Sequence, residues 1–379
     1  MGQLFLLEGV VLNMRFFKGL GEQQLATKFY QLPTEFTKDS DKEQLAYCLG
    51  ATLYMPAMKP MIAQTLISNK MPNATSIILD LEDSVGELQI YEALQNLKHT
   101  LQQLQQIQVD LPLLFVRVRN PNQFEMLTEF LGPLQKLLTG YAFPKFSLAN
   151  ADHYLMILQQ QRMAGYNLYG LPILESKDII LKENRLQTLL EIREKLIADY
   201  DAILNVRIGT TDFSGFYGIR RKSNQTLYDI VVVRDCLADI FNVFARQDYP
   251  FVLSASVWEY FDSPQQDTLS TVATKVRTQA VKGLIKELEL DRLNGLVGKT
   301  VIHPTHIDVV NAMHTVTYEE YLDAVEIINH QDGELGVKKS EYANKMNEMK
   351  PHLQWAKKII LQAHIYGVLQ PHLTYEDLV

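Results

Sequence analysis

The chain has 379 residues, 47% of them hydrophobic and 21% charged, with a formal charge of -8. That length can bury a full-sized core as one large domain or two smaller ones. The acidic balance argues against a nucleic-acid surface, which needs clustered Lys and Arg; two cysteines, Cys48 and Cys236, exclude a disulfide framework, a zinc quartet and a CxxC redox pair.

Residues 1–49 read as an N-terminal extension without a chemical motif. Its first twenty residues contain a short apolar run, but Glu8 interrupts it and no basic segment precedes it, so it reads as packing structure and not as a secretion signal. Nothing approaches an uninterrupted transmembrane span. The expectation is a cytoplasmic protein, in which the triplets Asn73-Ala74-Thr75 and Asn224-Gln225-Thr226 are chance matches to a glycosylation acceptor.

From about residue 50 to residue 303, short apolar runs alternate with longer helical patterns, the signature of βαβ units. The predicted strands are Ala51–Met55, Ser76–Leu81, Leu113–Val118, Tyr141–Phe143, Leu168–Leu174, Ala202–Ile208, Phe251–Ala255 and Thr300–Ile302. Between them, helical spacing predicts Leu88–Gln106, Asn122–Leu138, Ala149–Met163, Ile179–Ile197, Leu227–Arg246 and Thr268–Leu288. Eight apolar strands buried on both faces are what a closed parallel barrel needs, so the expected fold is an α/β, (β/α)₈ barrel over residues 50–303. Residues 304–379 read as a C-terminal helical segment with stretches at Tyr318–Asn329 and His352–Ile365, linked near Gly333 and Gly336. Their apolar faces (Tyr321, Val325 and Ile328; Trp355, Ile359 and Ala363) must be covered by the barrel or by another subunit.

Three strand ends are acidic: Asp80-Leu81-Glu82-Asp83, Glu175 after Leu171-Pro172-Ile173-Leu174, and Asp212 after Val206-Arg207-Ile208-Gly209. A parallel barrel carries its reacting groups at this C-terminal rim. Carboxylates converging there repel one another unless a cation lies between them, and a hard oxygen site with few protein ligands suits Mg²⁺. Taken singly, each of these residues serves equally well as a helix cap. Arg117 and Arg119 share one face of their strand, where an arginine can hold a substrate carboxylate by two parallel hydrogen bonds or form a structural ion pair. Lys145 follows a short strand and either serves the substrate or is solvated. Arg220-Arg221-Lys222 could bind phosphate but reads more readily as an exposed loop, and His303 before Pro304 reads as a turn element.

The segments Tyr54-Met55-Pro56, SIILDLEDSV (76–85), FVRVRN (115–120), FPK (143–145), LPILES (171–176), GTTDF (209–213) and GKTVIHPTHI (298–307) resemble, in this order, the citrate lyase β-subunit/malyl-CoA lyase family of the wider aldolase superfamily. The resemblance implies a TIM barrel that binds Mg²⁺, assembles as a homo-oligomer with its tail closing over a neighbour's rim, and makes or breaks a C–C bond beside a carbonyl. By position, Glu175 and Asp212 look like the direct metal ligands, and Glu82 and Asp83 like holders of the ion's outer shell. Arg117 looks like the arginine that grips the substrate, with Arg119 and Lys145 as further substrate-binding candidates.

Two departures stand out: Leu253–Glu259 where relatives often have Ala-Ile-Asp, and Pro56-Ala57 where they have Pro-Gly, which together imply an altered or absent coenzyme A pocket. With its long N-terminal extension, the chain is similar to the divergent C–C bond lyase branch associated with bacterial tellurite-resistance clusters. The reading is a Mg²⁺-dependent carbon–carbon lyase, or the reverse condensation, acting on a 2-oxo acid, 3-hydroxy acid or acyl-CoA through a stabilised enolate. The alternative is a catalytically silent barrel that binds a phosphorylated metabolite or a partner protein.

Overall fold

The computed structural model describes residues 13–107, 111–261, 278–332 and 336–379. Eight parallel strands follow one another around a single sheet in chain order: β1 (Ala51–Pro56), β2 (Ser76–Asp80), β3 (Leu113–Arg117), β4 (Gly140–Phe143), β5 (Tyr169–Leu174), β6 (Val206–Ile208), β7 (Leu253–Ser254) and β8 (Lys299–Val301). β1 pairs with β8, and the remaining gap closes where Ala255 bridges Lys299 in parallel. The predicted α/β barrel is therefore present and closed. Its strands are apolar on both faces: Ile77, Leu79, Leu114 and Val116 meet the outer helices, while the alternate residues Ile78, Phe115, Leu171 and Ile173 fill the interior.

Each strand is followed by a helix: α1 (Ile62–Ile67), α2 (Ile90–Gln105), α3 (Pro121–Leu131), α4 (Ala151–Met163), α5 (Arg185–Ala198), α6 (Val231–Phe244), α7 (Gln279–Leu293) and α8 (Ile307–Met313). Helical spacing does not reveal α1 and α8, whose 6 and 7 residues are too short to display a period. The predicted helix Asn122–Leu138 stops at Leu131, because Gly132 takes a left-handed φ of 50° and Pro133 follows; residues Gly132–Leu137 continue as a 3₁₀ segment. The predicted helix Ile179–Ile197 divides into Lys177–Ile180 and α5. Of the predicted Thr268–Leu288, residues 268–277 lie outside the described residues, as do residues 1–12 of the extension and Gly333 of the tail link.

The N-terminal extension and the tail close one end of the barrel together. The tail forms α9 (Tyr318–Asn329) and α10 (Met349–Tyr366), and the strand Val368–Leu369 beyond them pairs antiparallel with Phe29–Gln31 of the extension. The Tyr366 ring lies 4.2 Å from that of Phe16, and its hydroxyl donates to the Tyr47 carbonyl at 2.6 Å. They share a core with Leu49, Leu113, Tyr169, Leu204 and Val297, all at or just before the N-terminal ends of strands. The face that α9 buries is not the one expected: Ala324 and Ile327 pack with Met349, Ala356, Ile359 and Ala363 of α10, while Tyr321, Val325 and Ile328 are half-buried and Trp355 is 39% exposed. No helix among the described residues is long and apolar enough to cross a membrane.

Candidate active site

At the opposite, C-terminal end of the strands lies a cavity of about 410 Å³ lined by Tyr54, Asp80, Asp83, Arg117, Glu175, Arg207 and Asp212, among others. The register sets its first wall. Asp80, the last residue of β2, pairs directly with Arg117, the last residue of β3. Asp80 Oδ1 accepts from Arg117 Nε at 2.6 Å and Oδ2 from Nη2 at 2.7 Å, a two-pronged pair. The same carboxylate accepts from the Glu82 and Ser84 backbone N–H groups (3.0 and 3.1 Å) and from Ser84 Oγ (2.6 Å), fixing the loop that follows. Burial alone would push the Asp80 carboxyl up, but the Arg117 fork, Ser84 and the Glu82 amide outweigh it and hold it below the usual carboxylate range.

Arg117 is thus a three-carboxylate hub. Its Nη1 also lies 2.9 Å from Glu82 Oε2 and 3.0 Å from Asp83 Oδ2. The sequence left two readings open, substrate clamp or structural ion pair; Arg117 lines the cavity with its fork engaged by Asp80. Arg119 takes a different place from the one expected: Nη1 donates to the carbonyls of Leu81, Glu82 and Val85, and Nη2 to Glu87 at 2.5 Å, so it braces the loop outside the cavity. Shared strand parity failed for Arg119 because β3 ends at Arg117.

Lys145, just past β4, adopts a left-handed φ of 48°. This turns its backbone N–H onto Glu175 Oε1 at 2.9 Å and its ammonium onto Glu82, with Asp83 at 3.8 Å and Asp212 at 4.0 Å. Burial disfavours the Lys145 charge, yet the Glu82 contact and the fields of Glu82, Glu175 and Asp83 raise its pKa. Among the described residues, Lys145 is the one cation with Glu82, Asp83 and Asp212 all within 4.0 Å.

Glu175 and Asp212 line the same cavity, and the charge of Asp212 acts on Glu175. Glu175 is 7% exposed and is pushed up to about 8, first by burial and then by the charge of Asp212. Asp212, in the first turn of the short helix Thr210–Phe216, is raised by burial and by Asp83, against the opposing fields of Lys145 and Arg117. Glu82 is likewise raised by burial, although Arg117 and Lys145 oppose the shift. Gly209 makes the approach possible: a Cβ there would stand 2.1 Å from Glu175 Oε2.

Sequence reasoning missed Tyr54, Arg207 and Gly209. Strand alternation could have found Arg207, which lies two residues before Gly209 in β6 and points inward to the Thr52 and Thr300 hydroxyls. The other candidates fall away from the site. Arg221 is an internal ion-pair residue, held by Glu287, by Glu259 at 2.9 Å and by the Val257 carbonyl at 2.5 Å. His303 Nδ1 lies 2.8 Å from Thr305 Oγ1, as a turn element should.

Among the described residues, no three His, Cys, Asp or Glu side chains form a ready metal cage. Two carboxylates are nonetheless the provision Mg²⁺ commonly finds, since it keeps several waters. The oxygen-only donors, the raised pKa of Glu175 and the ammonium drawn in among the acids all fit a hard cation at this rim.

Comparison with known proteins now decides the family. Residues 43–368 match the model for C–C bond lyases of the TIM-barrel fold. The chain belongs to that family. No curated protein matches it. Among solved structures, a citrate lyase from Burkholderia xenovorans LB400 is similar with a TM-score of 0.60 at 15% identity, over 86% of this chain and 94% of that one. CitE of Mycobacterium tuberculosis, in complex with magnesium, acetoacetate and coenzyme A, is similar with a TM-score of 0.53 at 18% identity, over 84% of this chain and 99% of that one. At such identities the likeness is one of fold. In this chain the segment after β7 serves packing and pairing: Ser256 Oγ contacts the Thr210 amide at 3.0 Å and hydroxyl at 2.7 Å, and Glu259 holds Arg221.

Proposed function

We propose that this C–C bond lyase is Mg²⁺-dependent and cleaves, or in reverse forms, a bond beside the carbonyl of a 2-oxo acid, 3-hydroxy acid or acyl-CoA. The observation that carries the reading is the Glu175–Asp212 pair: two carboxylates lining one cavity at the barrel rim, one pushed up to about 8 partly by the other, with Glu175 making no ion pair among the described residues. Carboxylates paired off with arginines would favour the silent barrel, and here that pattern is confined to Asp80, Glu82 and Asp83 around Arg117.

In this reading Glu175 and Asp212 hold the ion, and Glu82 and Asp83 orient its outer shell. Bound Mg²⁺ would supply fixed positive charge where an enolate oxygen develops. Asp80 and Arg117 keep the loop of Glu82 and Asp83 in place, so the acidic wall is preorganised. Tyr54 faces the cavity; burial raises its pKa although Arg207 and Arg117 oppose the shift, so its hydroxyl keeps its proton and can donate a hydrogen bond to a ligand. Calorimetric titration should show Mg²⁺ binding to the wild type and none to Glu175→Gln or Asp212→Asn. Binding that survives in both variants would remove the assignment, and a metal-loaded wild type that turns over no member of a panel of 2-oxo acids and acyl-CoAs would favour the silent barrel.

A further inference from the structure

Six cationic side chains are buried among the described residues: Arg117, Arg185, Arg193, Arg207, Arg221 and Lys299. Five have a carboxylate within ion-pair distance: Arg117 has Asp80, Arg185 has Asp235, Arg193 has Asp248, Arg221 has Glu259 and Lys299 has Asp291. Arg207 has none, and it is the one of the five arginines besides Arg117 that lines the cavity. It is 1% exposed. Nη2 donates to Thr300 Oγ1 at 2.7 Å and Nη1 to Thr52 Oγ1 at 3.3 Å, while Nε is buried with no acceptor. The Tyr54 ring, 5.7 Å from its Cζ, offsets only part of the charge.

A guanidinium does not escape burial by losing its proton, so its charge must be met by another. We infer that Arg207 forms a second anion site at the floor of the cavity, and that the substrate is a compact dicarboxylate. One carboxylate and its neighbouring oxygen would take the acidic rim with its metal, and the other would descend to the Arg207 fork between the Thr52 and Thr300 hydroxyls. This deepens the lyase reading and rests on it. A cavity of about 410 Å³ holds such a small acid. Arg117 cannot take this role while its fork is closed on Asp80.

The test compares two 2-oxo acids that differ by one carboxylate, with Mg²⁺ present: pyruvate and oxaloacetate, titrated calorimetrically into wild type and Arg207→Met. Wild type should prefer oxaloacetate by about 30-fold or more, as expected for a desolvated, hydrogen-bonded charge pair. Arg207→Met should bind oxaloacetate no better than pyruvate and change pyruvate affinity less than about threefold, the scatter expected away from a broken contact. Thr300→Val, which removes the hydroxyl holding Nη2, should lower the preference without abolishing it, and it serves if Arg207→Met fails to fold. Equal wild-type affinity for the two acids overturns the Arg207 site and leaves the lyase reading standing. Wild type that binds neither acid with Mg²⁺ overturns the lyase reading and the inference with it.

Discussion

Glu175 illustrates how a single side chain links folding to ligation. Its native pKa near 8 stands above its ordinary 4.5, so between these values the native state keeps a proton that the unfolded chain has lost. Its contribution to metal-free stability is full below pH 4.5 and falls as pH rises to about 8. Glu175→Gln lacks this slope. In urea unfolding without metal, its advantage over wild type should grow from near zero at pH 4.5 to roughly 2–4 kcal/mol at pH 8. Parallel curves for the two proteins would mean that the carboxylate is a stabilising cap. Arg117 makes the opposite prediction: Arg117→Met strands the buried Asp80 and should cost about 3–5 kcal/mol in the same assay, whereas an arginine used only for substrate would leave stability unchanged. The charges at this rim were legible from sequence, because acidic residues ending apolar strands announce themselves. Their pairing was not. Whether Arg117 faces a ligand or Asp80 depends on the register of β2 against β3, which the local pattern of either strand leaves open.

At the scale of elements, the junction of β6 with the helix Thr210–Phe216 governs the site. Gly209 lies against the Glu175 side chain, with its amide bonded to the Leu174 carbonyl at 3.0 Å, so the ends of β5 and β6 are locked at one height. Gly209→Ala would place a methyl 2.1 Å from Glu175 Oε2. The Glu175 Cβ would also stand 2.6 Å away, so the strand ends must shift as well as the carboxylate turn; Mg²⁺ affinity should fall at least tenfold and the melting temperature should drop by several degrees. Unchanged metal affinity would detach Glu175 from the site. The eight strands were legible in the sequence because burial on both faces writes them as continuous apolar runs. The shortest helices, α1 and α8, were not, since six or seven residues hold less than two turns of pattern.

In the whole molecule, chemistry and closure occupy opposite ends of the barrel. The rim carries the carboxylates, while the extension and the tail seal the N-terminal ends of the strands through Phe16, Tyr47, Tyr366 and the pairing of Phe29–Gln31 with Val368–Leu369. Removing residues from Tyr318 onward would expose Phe16, Leu49 and Leu113 together. The truncated chain should lose its cooperative melting transition and bind a hydrophobic dye, an outcome set by folding and not by a missing catalytic group. A truncated protein that melts sharply and still binds Mg²⁺ would show that the seal is dispensable. The seal also orders events in time. Residues 29–31 leave the ribosome long before residues 368–369, so their strand waits for a partner that lies beyond the whole barrel in the chain. Until then the barrel bottom presents an unpaired edge and bare aromatic rings, the kind of surface chaperones hold. Completion of this fold therefore waits on residues 368–369, which close the seal only after all eight strands above it have been made.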